Sequence, residues 1–150
     1  MEEEGRKILI KLLEKHGGKK MIEVGCGNDE LLKKISKIFG ADVKCIDPYG
    51  YGENVIRMKG EEIAKINEKF DTIYTVMSLH HMDAMKFLKE AINALNEDGK
   101  IIVVDWKKGV DTGVQEYYFS LKEVLDMMVG YKIIDKGEKK YHFYVVAKRN

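Results

Sequence analysis

Proline occurs once in this chain, at Pro48, glutamine once, at Gln115, and cysteine only twice, at Cys26 and Cys45. Two cysteines cannot build the disulfide framework of a small secreted domain, and their spacing matches no metal or redox motif. Both fall in or beside predicted strands, so they are expected as reduced, mostly buried thiols. No apolar run approaches the roughly 20 residues that a membrane-spanning helix needs. The opening Met1-Glu2-Glu3-Glu4 is acidic where a signal peptide is basic, so a cytoplasmic protein without membrane contact is expected. An excess of one charge is also missing. Twenty-six Lys and Arg against 25 Asp and Glu leave a net charge of +1, which gives no electrostatic case for a nucleic-acid partner. Internal repeats, low-complexity segments and linkers are absent.

What is present suits one globular domain over residues 1–150: 45% hydrophobic and 34% charged residues. Abundant Lys and Glu lean the composition towards a thermophilic source. Glu2 to His16 carries Ile8, Leu9, Leu12 and Leu13 at helical spacing, and Gly17-Gly18 supplies a stop. Met21-Ile22 and Val24 read as a strand. Leu31, Leu32, Ile35 and Ile38 predict the buried stripe of a second helix, with Asp29 as N-cap and Gly40 as terminator. Strands follow at Val43 to Ile46, Val55 to Met58 and Phe70 to Met77, with a short helical turn over Glu61 to Asn67. Too few residues separate Asp47 from Val55 for a helix.

Asp83 to Leu95 predicts a helix burying Met85, Leu88, Ile92 and Leu95, with Asn96 to Gly99 as its exit turn. Ile101 to Trp106 is continuously apolar, the pattern of a strand covered on both faces. Lys107 to Val114 reads as an open loop. Ser120-Leu121-Lys122-Glu123 is a capping-box sequence opening a helix to about Val129. Tyr131 to Asp135 and Tyr141 to Ala147 predict a terminal hairpin. The alternation of strand and helix defines an α/β class with three layers and a largely parallel sheet.

The chain is organised around Lys20 to Asn28, where an apolar strand is broken by Gly25 and Gly27 and followed by a helix. Glycine lacks a side chain, so such a turn lets a ligand approach the backbone N–H groups at the helix start. An open α/β sheet binds ligands beyond the carboxyl ends of its strands. Gly25, Cys26 and Gly27 end the first strand, Asp47 the second, Gly60 and Glu61 follow the third, and Met77 to His81 end the fourth. An acid about 20 residues past a glycine turn suits a bidentate hydrogen bond to ribose hydroxyls.

Glu23-Val24-Gly25-Cys26-Gly27-Asn28 resembles the first motif of the class I S-adenosylmethionine-dependent methyltransferases, particularly the small methyltransferase-domain group. Phe70-Asp71 with Leu79-His80-His81 resembles that family's fourth-strand segment, and Leu95 to Ile101 its turn into the fifth strand. The resemblance spans nearly the whole chain. It implies a Rossmann-like, seven-stranded sheet in which only the terminal hairpin strand is antiparallel, and S-adenosyl-L-methionine as cofactor.

By position, the resemblance gives Gly25, Cys26 and Gly27 backbone contact with the methionine part, and Glu23 a role in ordering that loop. Asp47 would take the ribose, Pro48 would lie against the adenine region, Glu61 would accept from the adenine amine, and Met77 would line the methionine side. Two positions depart from the family pattern: Asp29 stands where a third glycine is common, and Glu97-Asp98-Gly99 replaces Pro-Gly-Gly. Asp29 is expected to turn outward as a cap. The short segment after Asp47 leaves Tyr49 or Tyr51 to cover the base.

Methyl transfer needs orientation, a dry pocket and, for some acceptors, a base. His80 and His81 are base candidates because a neutral imidazole works near neutral pH, and Asp105 is a third. The expected partner is a small-molecule methyl acceptor, in a pocket roofed by Lys107 to Phe119 and lined partly by Trp106 and His142. Adjacent histidines without acids or cysteines at ligand spacing give no reason to expect a metal. An exposed face of the first helix or an edge strand leaves room for a homodimer. Two rival readings stay open: a non-catalytic cofactor-binding partner or sensor module, and a nicotinamide-dependent oxidoreductase, whose Gly-x-Gly-x-x-Gly fails at Glu30.

Overall fold

The computed structural model describes residues 1–150 and begins with α1 (Glu2–His16), whose acidic first turn and basic last turn complement the helix dipole. Leu9, Leu12 and Leu13 are its buried stripe. β1 (Lys20–Val24) leads through the glycine turn into α2 (Glu30–Phe39), which Gly40 ends in the left-handed conformation with φ 59°. β2 (Asp42–Ile46) and the short β3 (Val55–Ile56) follow, then a 3-10 helix over Gly60–Ile66. β4 (Phe70–Val76) runs into a 3-10 turn, Leu79–His81, and α3 (Ala84–Ala91). The chain closes with β5 (Leu95–Trp106), α4 (Leu121–Met127), β6 (Tyr131–Glu138) and β7 (His142–Arg149).

The seven strands form one sheet in the order β3-β2-β1-β4-β5-β7-β6. Pairings from β3 through β5 are parallel, and only β7 runs antiparallel to its neighbours β5 and β6. This is the three-layer, mostly parallel architecture expected. Each face of the sheet carries its own apolar core. Ile101 and Val103 point to one, with Phe87, Leu88 and Val124, and Ile102 and Val104 to the other, with Leu9, Leu13 and Ile35. All four β5 residues are fully buried, which is why that segment reads as an unbroken apolar run. Each such side chain contributes on the order of 1.5–3 kcal/mol.

Four expectations are corrected. Met85 is 61% exposed and Ile38 49% exposed. α3 stops at Ala91, so its buried face is Ala84, Phe87, Leu88 and Ala91, and the stripe projected forward to Leu95 does not exist. Asn96 to Gly99 is no exit turn but an irregular start of β5. Its pairing with β4 jumps from Phe70–Leu95 to Thr72–Lys100, and Gly99 lies so close to the Phe70 carbonyl that an added Cβ would be 2.8 Å from it. Finally, Cys26 and Cys45 form a disulfide, with Cα atoms 6.1 Å apart, and are not separate thiols. Parallel pairing sets Cys45 beside Glu23, so the residue just past the end of β1 folds back onto β2.

Candidate active site

The sheet's carboxyl ends carry the glycine turn, and its shape follows from backbone sterics. Gly25 has φ +80°, and a Cβ there would lie 2.6 Å from the Ser78 Cβ; Gly27 has φ +71° with open space around it. Gly25 is thus demanded by close packing, whereas Gly27 leaves the loop bare on its outer side. Ser78 donates its hydroxyl to the Gly25 carbonyl at 2.7 Å, tying the end of β4 to the loop. Asp47 Oδ2 accepts from the Gly27 N–H at 2.8 Å, and Oδ1 from the Tyr49 N–H at 2.8 Å. The same carboxylate that faces the crevice therefore also holds the glycine turn in place.

Two cavities meet over this turn, sharing Gly25, Asn28 and Ser78. The larger, about 750 Å³, is lined by Gly27, Asp47, Pro48, Glu61, His81 and the two exposed tyrosines, Tyr49 and Tyr51. The smaller, about 350 Å³, is lined by Arg6 of α1, Glu23, Cys26, Lys34 and Met77. Every residue assigned to the cofactor from the sequence thus lines one of the two. Met77 has φ +54°, uncommon for a side chain of its size, and its N–H is held by the Val104 carbonyl at 2.7 Å. Backbone strain of this kind concentrates at functional sites.

Glu23 is 2% exposed beneath the loop and accepts from the Tyr74 hydroxyl at 3.0 Å. Burial pushes its carboxyl up to about 7, against the opposing pull of the Tyr74 hydrogen bond and the Arg6 charge. Asp29 departs from its expected cap bond. It sits at the N-cap position, but its carboxylate accepts from the Asn54 side chain at 3.1 Å and lies 3.5 Å from Lys33. Asn28 takes over locally, accepting from the Glu30 N–H at 2.9 Å. Asp29 instead braces the short loop after β2, where no helix fits.

The three proposed base residues have unequal surroundings. Asp105 is buried, with His80 Nδ1 2.9 Å from both its oxygens, and it also accepts from the N–H groups of His80 and Trp106. His80 is 3% exposed at its side chain, and its Nε2 lies 3.1 Å from Glu116 Oε2. Burial draws the His80 ring down, but the hydrogen bond and charge of Asp105, joined by Glu116, outweigh it and leave the ring raised. His81 is the open one, 59% exposed at the rim of the larger cavity. The Lys107–Phe119 loop encloses an opening of about 520 Å³. Trp106 and His142 do not line it; they stack on each other at 4.5 Å and are buried, His142 against Gly5 of α1. Sequence reasoning missed Arg6 and Glu116, which lie in a helix and a loop that carry no motif, and took in Ser78 only as part of the Met77 to His81 strand end, without its bond to Gly25.

A glycine turn, an acid at the next strand end and a crevice across β1, β2 and β4 on this sheet order define a class I S-adenosylmethionine-dependent methyltransferase. The chain belongs to the methyltransferase-domain family, whose model matches residues 1–130. Solved structures agree on the fold. A SAM-dependent methyltransferase from Aquifex aeolicus is 24% identical, with 98% of this chain and 97% of that one covered and a TM-score of 0.73. The 1,6-didemethyltoxoflavin-N1-methyltransferase of Burkholderia thailandensis, solved with 1,6-didemethyltoxoflavin and S-adenosylhomocysteine bound, is 15% identical, with coverage of 97% and 78% and a TM-score of 0.77. Geranyl diphosphate C-methyltransferase from Streptomyces coelicolor, in complex with Mg2+, geranyl diphosphate and S-adenosyl-L-homocysteine, is 11% identical, with coverage of 96% and 79% and a TM-score of 0.75. No curated protein matches the chain in sequence.

Proposed function

We propose that this chain moves the methyl group of S-adenosyl-L-methionine to a small-molecule acceptor. The observation that carries the reading is the pair of joined cavities over Gly25 and Gly27, with Asp47 on one side and His81 on the rim. The donor set fits the cofactor's chemistry: bare backbone for the methionine part, the Asp47 carboxylate for ribose hydroxyls, Glu61 for an amine and Arg6 for a carboxylate. Pro48, Tyr49 and Tyr51 form the wall for an adenine. When bound, the cofactor supplies an electrophilic methyl for in-line displacement.

The chain's own contribution is orientation, together with management of the acceptor's proton. Asp105 holds His80 from behind, so it acts as a positioning residue. His81 and Glu116 are the groups that an acceptor at the rim meets. The small ligands in the Burkholderia and Streptomyces structures support a compact acceptor, as does the modest size of the cavities.

Calorimetric titration with S-adenosylmethionine, its demethylated product and NAD tests the reading. The first two should bind and NAD should not, and Asp47→Ala should weaken binding by at least about tenfold, the loss of roughly 1.4 kcal/mol expected for a charged hydrogen bond. A signal for NAD alone would overturn the reading. Cofactor binding with no methyl transfer to any component of a cell extract would point instead to a binding subunit.

A further inference from the structure

His80 and His81 end the Leu79–His81 turn, and the Lys107–Phe119 loop sets Glu116 against both rings. Glu116 Oε2 is 3.1 Å from His80 Nε2 and Oε1 is 3.7 Å from His81 Nε2; one ligand atom from each residue lies within 4.8 Å of the others. In a tetrahedral site with ligands about 2.1 Å from the ion, neighbouring ligand atoms are roughly 3.4 Å apart. The two distances to Glu116 are already near that spacing.

Its supporting contacts match as well. The Asp105 carboxylate on His80 Nδ1 fixes the ring so that Nε2 can serve as a bare ligand, the carboxylate–imidazole arrangement that orients metal-bound histidines. The Tyr118 hydroxyl donates to Glu116 Oε2 at 3.2 Å and steadies the third member.

We propose that His80, His81 and Glu116 form a site for a divalent transition ion, with a fourth position open to the methyl acceptor. Two imidazoles and one carboxylate suit zinc, and three protein ligands with an open position are the pattern of catalytic zinc centres. Because His81 also lines the larger cavity, the ion sits at the cofactor's doorstep. Ligation of an acceptor thiol or hydroxyl forms a bond to the ion, breaks the S–H or O–H bond and releases the proton to water. No electrons change hands, and the acceptor atom keeps a lone pair for the methyl. This deepens the methyltransferase reading and rests on it.

The test is calorimetry with zinc chloride on the full chain, alongside cobalt(II) absorption spectra. Wild type should bind one ion and show the intense visible bands of a four-coordinate cobalt site. Glu116→Gln and His81→Ala, both at exposed positions, should keep the melting temperature while losing more than about a hundredfold in affinity, and Asp105→Asn about 10–100-fold. His16→Ala, which removes an imidazole paired with Asp135 elsewhere, should leave the zinc affinity unchanged. No stoichiometric binding, or binding indifferent to Glu116 and His81, overturns the site and leaves the cluster a set of imidazole–carboxylate contacts. S-adenosylmethionine is titrated on the same samples. Cofactor binding by a protein that takes up no zinc sinks the metal site alone, whereas zinc uptake with no cofactor binding keeps the site and sinks the methyltransferase reading.

Discussion

Glu23 shows how a single residue links the loop to stability. Its ordinary carboxyl value of 4.5 rises to about 7 in the fold, so the native state holds this proton more tightly than the unfolded chain does. That stabilisation is complete below 4.5 and disappears as the pH climbs through about 7, a change of roughly 3 kcal/mol. Glu23→Gln, neutral and of equal shape, should flatten the fall in melting temperature between about pH 5 and pH 8 and exceed wild type at the upper end. Melts recorded across that range check it, and an unchanged slope would mean that another group titrates. The sequence marked Gly25 and Asp47 because the turn's chemistry restricts which residues can stand there, and Glu23 through the family resemblance. Glu116 carried no such mark: it lies 36 residues from His80 and meets it only through the path of a loop. Asp29 was placed at the right helix end but with the wrong partner, because Asn54 approaches from another segment.

At the scale of elements, α4 rests on a local device that the sequence displays openly. Ser120 Oγ accepts from the Glu123 N–H at 3.1 Å, and Glu123 Oε1 accepts from the Ser120 N–H at 2.9 Å. Ser120→Ala should cost about 1 kcal/mol and lower the melting temperature by about 2–4 °C. Hydrogen exchange should quicken over Leu121 to Met127 first, and uniform acceleration would contradict a local role. β1 and β2 were legible because their apolar runs end at Gly25 and at Asp47-Pro48, and β4 and Ile101 to Trp106 of β5 because their runs are apolar, β-branched or aromatic nearly throughout. The end of α3 was not, since Ile92 and Leu95 continue its helical period while belonging to a 3-10 turn and to β5. Register with β4, a tertiary property, decides where that helix gives way.

At the scale of the molecule, β5 joins the two cores back to back. Ile101→Ala opens one and Ile102→Ala the other, and each should cost about 2–5 kcal/mol. Because the strand is shared, both variants should still unfold in one calorimetric transition whose van't Hoff and measured enthalpies agree. Two resolved transitions would show that the layers melt separately. The exposed edge at β6 alternates half-buried and solvated residues after the buried Tyr131 and carries Lys132 and Lys136, which discourages edge-to-edge pairing with another sheet. One consequence of the Trp106–His142 stack is optical. The chain has a single indole, 9% exposed, following Asp105 and lying face to face with an imidazole packed under α1. The protein therefore carries its own fluorophore next to Asp105, and shifts in emission on adding methyl donor or zinc would report, without a label and in real time, whether and in what order the proposed sites fill.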